Sequence, residues 1–89
     1  MVKVILDGVL VYLAGKRELQ VDAGSVRELI ERLKDRPKLY ERITRGPRGE
    51  LAPDIYIAVN DVDIRLLSGL DTPLGPEDVV LIIAYIHGG

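Results

Sequence analysis

The segment Val79-Val80-Leu81-Ile82-Ile83-Ala84 is an uninterrupted apolar run near the carboxyl end of this 89-residue sequence. Six consecutive apolar residues, most of them β-branched, predict a central strand that is covered on both faces, or one whose second face meets a partner. Tyr85-Ile86-His87 and then Gly88-Gly89 follow this run. We therefore expect a central strand that leads directly into a slim, glycine-ended tail.

Four other segments have strand character. Residues 2–6 and residues 18–21 alternate apolar and polar side chains, as half-buried strands do. Residues 55–59 are continuously apolar and are followed by a turn at Asn60-Asp61 and a short strand at 62–64. The strands at 55–59 and 62–64 are predicted to form a hairpin.

One amphipathic helix is predicted after residue 25. Ser25-Val26-Arg27-Glu28 has the pattern of a capping box, in which the serine and the glutamate satisfy the first free amides of a helix. Apolar residues at helical spacing extend this helix from 26 to about 34, and Pro37 ends it. Proline suits the first position of a helix, so Pro37 also predicts a short second helix that contains Leu39, Tyr40 and Ile43.

The remaining segments are predicted to be irregular. Glycine, proline and charge make residues 45–53 an exposed loop, and residues 72–76 have turn chemistry. Residues 66–70 are too broken to form a regular element. We expect core or strand-end packing for four leucines of this region: Leu66, Leu67, Leu70 and Leu74. The less favoured alternative is that one or two of them lie in a partner interface.

The first turn of the chain has two candidates. Asp7-Gly8 is a tight-turn dipeptide that would pair residues 2–6 with residues 9–13. A turn at Ala14-Gly15-Lys16 would instead pair the first strand with residues 18–21. Local rules slightly favour Asp7-Gly8, and the two hairpins exclude each other.

Composition indicates one small domain of 47% apolar residues with no cysteine. The first 48 residues carry 11 basic and 7 acidic side chains, whereas residues 49–89 carry 1 basic and 7 acidic. An acidic body beside the tail favours a partner with a basic docking face and argues against direct binding of nucleic acid. Composition alone is equally compatible with an ordinary solvated surface whose charge is uneven. The amino-terminal apolar run is too short for a signal peptide or a membrane span, so we expect a soluble, cytoplasmic protein with no membrane association.

Several motifs of the second half resemble those of the ubiquitin-like sulfur carriers. They are Val59-Asn60, Asp63-Ile64-Arg65, the segment from Gly69 to Leu74, Glu77-Asp78-Val79 and the terminal Gly88-Gly89. This family includes the small subunit of molybdopterin synthase, the thiazole sulfur carrier and the ubiquitin-related modifier of tRNA thiolation. The ending His87-Gly88-Gly89 looks closer to the ubiquitin-related modifier, and the proline-rich ending of the molybdopterin branch is missing.

The order of the elements predicts an α+β fold, and at this size it is the ubiquitin-like β-grasp roll, a mixed sheet packed on one main helix. We expect residues 1–84 to form this domain and residues 85–89 to form a flexible tail. The family pattern places residues 2–9 in one strand and residues 11–14 in a connection, which overrides the Asp7-Gly8 hairpin.

The resemblance implies that Gly89 is the site of adenylation and of thiocarboxylate formation, with the tail residues Tyr85, Ile86, His87 and Gly88 delivering it. A ubiquitin-activating-type adenylating enzyme would use ATP, and a persulfide donor would supply the sulfur. The recipient would be the molybdopterin synthase large subunit or a tRNA-thiolating enzyme. The chain itself would have no catalytic residues, no bound cofactor and no metal, and no activity alone, although it could be the small subunit of molybdopterin synthase.

Two other functions remain open at this stage. The chain could be a protein modifier that is joined through Gly89 to lysines of target proteins, or a non-catalytic ubiquitin-fold interaction domain with an inert tail. His87 is the only histidine and is expected to be a contact residue. Tyr85 and Ile86 would either steer the tail along a partner or cap the end of the sheet.

Overall fold

The computed structural model of the protein describes residues 1–85, so Ile86, His87, Gly88 and Gly89 lie outside the described residues. Three short 3₁₀ turns cover Leu33–Asp35, Ile64–Leu66 and Gly69–Asp71. The helices are α1 (Val9–Ala14), α2 (Val26–Arg32) and α3 (Pro37–Ile43). The strands are β1 (Val2–Asp7), β2 (Glu18–Val21), β3 (Thr44–Arg45), β4 (Glu50–Leu51), β5 (Ile55–Val59), β6 (Val62–Asp63) and β7 (Val79–Ala84).

The main sheet has five strands in the order β2-β1-β7-β5-β6, with β7 at its centre. Strand β7 runs parallel to β1 and antiparallel to β5, and the other neighbouring pairs are antiparallel. This mixed sheet with helices on one side confirms the predicted α+β class and the central place of β7.

The core lies between one face of the sheet and the helices. Val80 and Ile82 of β7 are fully buried on this face, next to Val4 and Leu6 of β1. The helical side chains that complete the core are Leu10, Val26, Leu29, Ile30, Leu39 and Ile43. Full burial of one such side chain contributes about 1.5–3 kcal/mol, so the inner face of β7 fixes the position of the strand firmly.

The predicted start of α2 is confirmed. The Ser25 hydroxyl accepts a hydrogen bond from the Glu28 amide at 3.1 Å, as in a capping box. The Glu28 carboxylate accepts a hydrogen bond from the Gly24 amide at 2.8 Å rather than from the Ser25 amide. The α-helix ends at Arg32 and continues as a 3₁₀ turn to Asp35, before Pro37 begins α3.

The predicted course of residues 7–14 is wrong in both versions. Neither a hairpin at Asp7-Gly8 nor a strand through residue 9 forms, because the chain leaves the sheet at Gly8, where φ is 61°. Residues 9–14 form helix α1, which inserts Leu10 into the core. Gly15, in the left-handed conformation, ends the helix and donates to the Val11 carbonyl at 2.9 Å. The first strand therefore pairs with β2, as the second candidate turn required.

The segment predicted as the loop 45–53 is also more regular than expected. Strands β3 and β4 form a small antiparallel hairpin of their own. Gly49 has a φ of 66°, and a Cβ there would lie 2.7 Å from the Tyr40 hydroxyl oxygen of α3. Only glycine therefore lets this hairpin fold back onto α3 without a shift of Tyr40.

The leucines of the second half divide into two groups. Leu74 is buried and Leu70 packs against the core, as predicted. The prediction is wrong for Leu66 and Leu67, whose exposed fractions are 79% and 45%. Leu66 ends one 3₁₀ turn and Leu67 directly follows it, so these side chains leave the core.

Candidate functional site

The last described residue, Tyr85, is held at the end of the sheet. Its amide donates to the Asp54 carbonyl at 2.8 Å, which continues the pairing of β7 with β5 by one residue. Its ring packs edge-to-face on Tyr56, with ring centroids 5.9 Å apart and an interplanar angle of 65°. Tyr85 is nevertheless 51% exposed. This arrangement, called here the tail root, fixes the point from which the chain continues towards Gly89.

A clamp on the neighbouring segment supports the tail root. Arg42 of α3 donates two hydrogen bonds to the Asp54 carboxylate, one of them at 3.1 Å. These bonds raise the pKa of the Arg42 guanidinium above its ordinary value. Because less than a third of either side chain is exposed, this ion pair joins α3 to the start of β5 more firmly than a surface pair would.

The outer face of the sheet leads to the tail root. In β7, Leu81 and Ile83 alternate with the buried residues and are half-buried. Leu81 lies opposite Ile5 of β1, and Ile83 lies opposite Tyr56 of β5. This open face is defined by Ile5, Tyr56, Leu81 and Ile83, so β7 is not covered on both faces within the described residues, and a partner on its second face stays a prediction.

At the other end of the sheet, Asn60 and Asp78 form a closed network. The Asn60 side chain donates to the Asp78 carboxylate at 2.8 Å and accepts from the Val79 amide at 2.9 Å. Asp78 also accepts from the Gly75 amide at 2.7 Å. These hydrogen bonds, chiefly the one from Gly75, hold the pKa of Asp78 below its ordinary value. The network joins the β5–β6 turn to the start of β7 and has a structural role.

Thr72 forms a second clasp of the same kind. Its side chain is buried, and its hydroxyl donates to the Gly69 carbonyl at 2.7 Å and accepts from the Ser68 amide at 3.1 Å. Its carbonyl accepts from the Val26 amide at 3.0 Å and so satisfies one of the free donors at the start of α2. The motif from Gly69 to Leu74 thus holds the approach to β7 against α2.

Arg65 is the one motif residue that turns a charged group outward beside the tail root. Its Nε donates to both carboxylate oxygens of Asp63, at 3.2 and 3.0 Å, and its Nη2 donates at 2.6 Å. The Asp63 side chain is only 16% exposed, whereas that of Arg65 is 80% exposed. Hydrogen bonding between the two lowers the pKa of Asp63 and raises that of Arg65. The phenol groups of Tyr85 and Tyr56 raise the pKa of Arg65 further.

A groove of about 260 Å³ lies between this ion pair and the tail root. It is lined by Leu51, Ala52, Pro53, Ile55, Tyr56, Ile57, Asp63, Ile64, Arg65 and Tyr85. The groove therefore joins the β3–β4 hairpin, the start of β5 and the turn after β6 at the point where the tail begins.

Of the predicted site residues, only Tyr85 belongs to the described part of the chain. Ile86, His87, Gly88 and Gly89 lie outside it, so their roles stay predictions. Tyr85 does cap the end of the sheet, and its steering role also stays a prediction. Residues 1–85 contain no cluster of three or more histidine, cysteine, aspartate or glutamate side chains that could hold a metal ion. In the same residues no helix has the length and apolar character needed to cross a membrane.

Sequence reasoning missed the orientation of Arg65. The sequence does indicate a possible ion pair there, because Arg65 is the only lysine or arginine after position 48 and lies two residues after Asp63. The pairing itself depends on the 3₁₀ turn at Ile64, where the Asp63 carboxylate also accepts from the Arg65 amide at 2.8 Å.

The fold and the tail root define a β-grasp protein of the ubiquitin-like class. The ThiS family model matches residues 4–89, and the chain belongs to this family of ubiquitin-like sulfur carriers and modifiers. A ubiquitin-related modifier 1 homologue of Drosophila simulans is 33% identical over 82 residues, which cover 83% of this chain and 76% of the relative. Ubiquitin-related modifier 1 of Bos taurus is 42% identical over 57 residues, 64% of this chain and about half (52%) of the relative.

Solved structures have the same architecture over nearly the whole chain. Small archaeal modifier protein 1 of Methanosarcina acetivorans matches with a TM-score of 0.85 and 31% identity, over 99% of this chain and 95% of that protein. The BexX/CysO complex of Amycolatopsis orientalis contains a chain that matches with a TM-score of 0.86 and 24% identity, over the full length of both. The predicted β-grasp fold is therefore confirmed.

Proposed function

We propose that this protein is a sulfur carrier whose Gly89 carboxylate is adenylated by a separate ubiquitin-activating-type enzyme and then converted to a thiocarboxylate. The thiocarboxylate donates its sulfur in molybdopterin biosynthesis or in tRNA thiolation. Adenylation consumes ATP at the activating enzyme, and the carrier itself supplies no catalytic side chain. We propose the cytoplasm as its place of action.

The observation that carries this proposal is the tail root. A strand buried in the centre of the sheet ends at Ala84, and Tyr85 is anchored to Asp54 and Tyr56. The next four residues end in Gly88-Gly89, and the family match extends through residue 89. A firm base followed by a short segment with two residues that lack a Cβ suits delivery of an acyl group into a narrow active site.

The chemistry needs an activated carboxyl group. A terminal carboxyl has a pKa of about 3.5 and is ionised at neutral pH, so it resists nucleophilic attack. One of its oxygens attacks the α-phosphorus of ATP, pyrophosphate leaves, and an acyl adenylate forms. The terminal sulfur of a persulfide then attacks the acyl carbon and displaces AMP. A thiol cleaves the resulting acyl disulfide, which leaves a disulfide on the donor side and the thiocarboxylate on Gly89.

The open face of the sheet supplies a surface for the enzymes that handle the tail. Ile5, Leu81 and Ile83 are half-buried apolar side chains that lie on the face leading to Tyr85. The acidic residues of the second half favour an activating enzyme with a basic docking surface around an apolar centre. The same face would meet the molybdopterin synthase large subunit or the tRNA-thiolating enzyme after activation.

Mass spectrometry of the intact protein tests the proposal. The protein is incubated with the activating enzyme, ATP, a persulfide donor and a thiol, and the mass gain from replacement of one oxygen by sulfur is measured. Deletion of Gly89 should abolish the product, and Gly89→Ala should reduce it strongly, with no change in thermal unfolding. Gly75→Ala is the control, because a Cβ there makes only an ordinary contact, at 3.9 Å from Asp78. A normal yield of thiocarboxylate from the chain without Gly89 would refute the role of this residue.

The second candidate function is covalent modification of other proteins through Gly89. The relatives favour it, since they include a ubiquitin-related modifier 1 homologue and small archaeal modifier protein 1. In this case the neutral ε-amino group of a target lysine would attack the acyl carbon of the adenylate, AMP would leave, and an amide bond would form with loss of a proton. Amide-linked adducts recovered from cells, in place of a terminal thiocarboxylate, would support this function over sulfur transfer.

A further inference from the structure

Arg65 is unusual for both its charge and its position. It is the only basic residue among residues 49–89, which also carry seven acidic residues. It lies beside the tail root and lines the same groove as Tyr85 and Tyr56. Arg42 of α3 is the other cation at the tail root, and it is already paired with Asp54.

The Arg65 guanidinium is held in one orientation. Its Nε and Nη2 both donate to the Asp63 carboxylate, which is itself largely buried. Among residues 1–85, its Nη1 makes no hydrogen bond. The side chain as a whole is 80% exposed, and its Nε and Nη2 atoms are held by Asp63. A fixed guanidinium with a free edge can bind a carboxylate with little further loss of side-chain entropy.

The groove next to Arg65 has the size of a side-chain site. Its volume of about 260 Å³ is below the usual range of about 300–1,000 Å³ for small-molecule pockets. Leu51, Ile55 and Tyr56 make much of its lining apolar. An apolar side chain of a partner fits this site better than a metabolite does.

We propose that this groove is the docking site for an apolar side chain of the activating enzyme, whose neighbouring carboxylate binds the free edge of Arg65. The inference rests on the proposed function, because it assigns a site to the enzyme that activates Gly89. The groove lies at the base of the tail, so contact there fixes the distance from the docked body to the reacting carboxyl group.

The charge pattern favours a carboxylate on the partner. A basic docking surface that complements the acidic half would repel Arg65 at the tail root. A carboxylate placed opposite Arg65 removes this repulsion and creates one contact of reversed sign. Such a contact sets the register of the complex and rejects activating enzymes that carry a basic group there.

Steady-state adenylation kinetics test the proposal. The activating enzyme is one that adenylates the wild-type chain, and the rate of pyrophosphate exchange is measured against carrier concentration. Arg65→Gln should raise KM by about 30-fold with kcat nearly unchanged, since truncation of one partner of a buried charge pair costs binding rather than chemistry. Arg65→Lys should recover only part of the affinity, because an ammonium group lacks the planar fork.

Arg27→Gln is the matched control. Arg27 also forms an exposed ion pair, at 3.0 Å from Asp71, and lies outside the groove. We expect wild-type kinetics for this variant, and both variants are assayed well below their unfolding temperatures because Arg65→Gln removes the ion pair of Asp63. An unchanged KM for Arg65→Gln would overturn the proposal and leave the proposed function intact.

A rescue experiment separates docking from a structural role. Arg65→Glu should abolish saturable binding, and one acidic-to-lysine substitution on the docking surface of the enzyme should restore it. Rescue supports the carboxylate contact, and failure of every such substitution overturns it. If no ubiquitin-activating-type enzyme forms an acyl adenylate on the wild-type chain, the proposed function is refuted, and the docking site that rests on it is refuted as well.

Discussion

Replacement of Thr72 by valine should destabilise the protein without affecting the proposed formation of a thiocarboxylate at Gly89. Valine has nearly the same shape but cannot donate to the Gly69 carbonyl or accept from the Ser68 amide, which Thr72 contacts at 2.7 and 3.1 Å. Each of the two lost hydrogen bonds costs about 0.5–1.5 kcal/mol, which gives about 1–3 kcal/mol together. Ser68 is exposed and can be hydrated after the change, so the lower part of this range applies. We expect a loss of about 1.5 kcal/mol.

Thermal unfolding followed by circular dichroism measures this loss. For a domain of this size, 1.5 kcal/mol corresponds to a decrease in Tm of about 6–12 °C. Thr72→Ser keeps the hydroxyl group and should lose much less stability. Below its Tm, the valine variant should form the thiocarboxylate at the wild-type rate. A Tm within about 2 °C of wild type, well short of this decrease, would refute the structural role given to the buried hydroxyl.

Two further predictions concern the β5–β6 turn and the start of β7. Asn60 and Asp61 both have positive φ, 50° and 70°, as in a type I′ turn. Glycine adopts this conformation without strain, so Asp61→Gly should stabilise the protein by about 0.5 kcal/mol. A lower midpoint of urea unfolding than that of wild type would contradict this. The pKa of Asp78 is lower in the folded protein than its unfolded value of about 3.9. The ionised carboxylate therefore stabilises the fold at pH values above about 3.9, and this stabilisation is lost as the pH falls through the folded pKa. The difference in free energy of unfolding between wild type and Asp78→Asn should therefore be constant above about pH 5 and shrink below about pH 4. A difference that grows towards low pH would show that the carboxylate is not the stabilising form.

The sequence predicted the elements whose patterns have one interpretation. The capping box at Ser25 and the proline at position 37 located α2 and α3 because each satisfies a specific requirement of a helix start. The apolar run 79–84 located the central strand because a strand with neighbours on both sides can place apolar residues on both faces. These signals are local, and they do not depend on the rest of the fold.

The sequence could not predict helix α1 or the β3–β4 hairpin. Residues 9–14 are all apolar, so neither helical nor strand periodicity is visible in them. Their conformation depends on Gly8 and Gly15, which take positive φ, and on a place for Leu10 in the core. The hairpin depends on the approach of Gly49 to Tyr40, a contact between segments that no local pattern shows.

The candidate site was predicted only in part for a similar reason. Tyr85 was recognised by its place before the diglycine, but the Arg65 pair and the groove require three segments to meet at the end of the sheet. A lone arginine in an acidic half was visible in the sequence. Its fixed orientation was not, because it follows from the 3₁₀ turn after β6 and from the burial of Asp63.

The motifs that identify the family act mainly on the scaffold. Asn60 and Asp78 fix the start of β7, and Thr72 fixes the approach to it, so together they determine where the far end of the strand delivers the tail. Arg65 differs, because the groove it lines already lies at that far end and its side chain is 80% exposed. Stability should therefore respond to the first group, whereas choice of partner should respond to Arg65. A carrier that exchanges one partner for another can then change Arg65 while its tail still emerges at the same place.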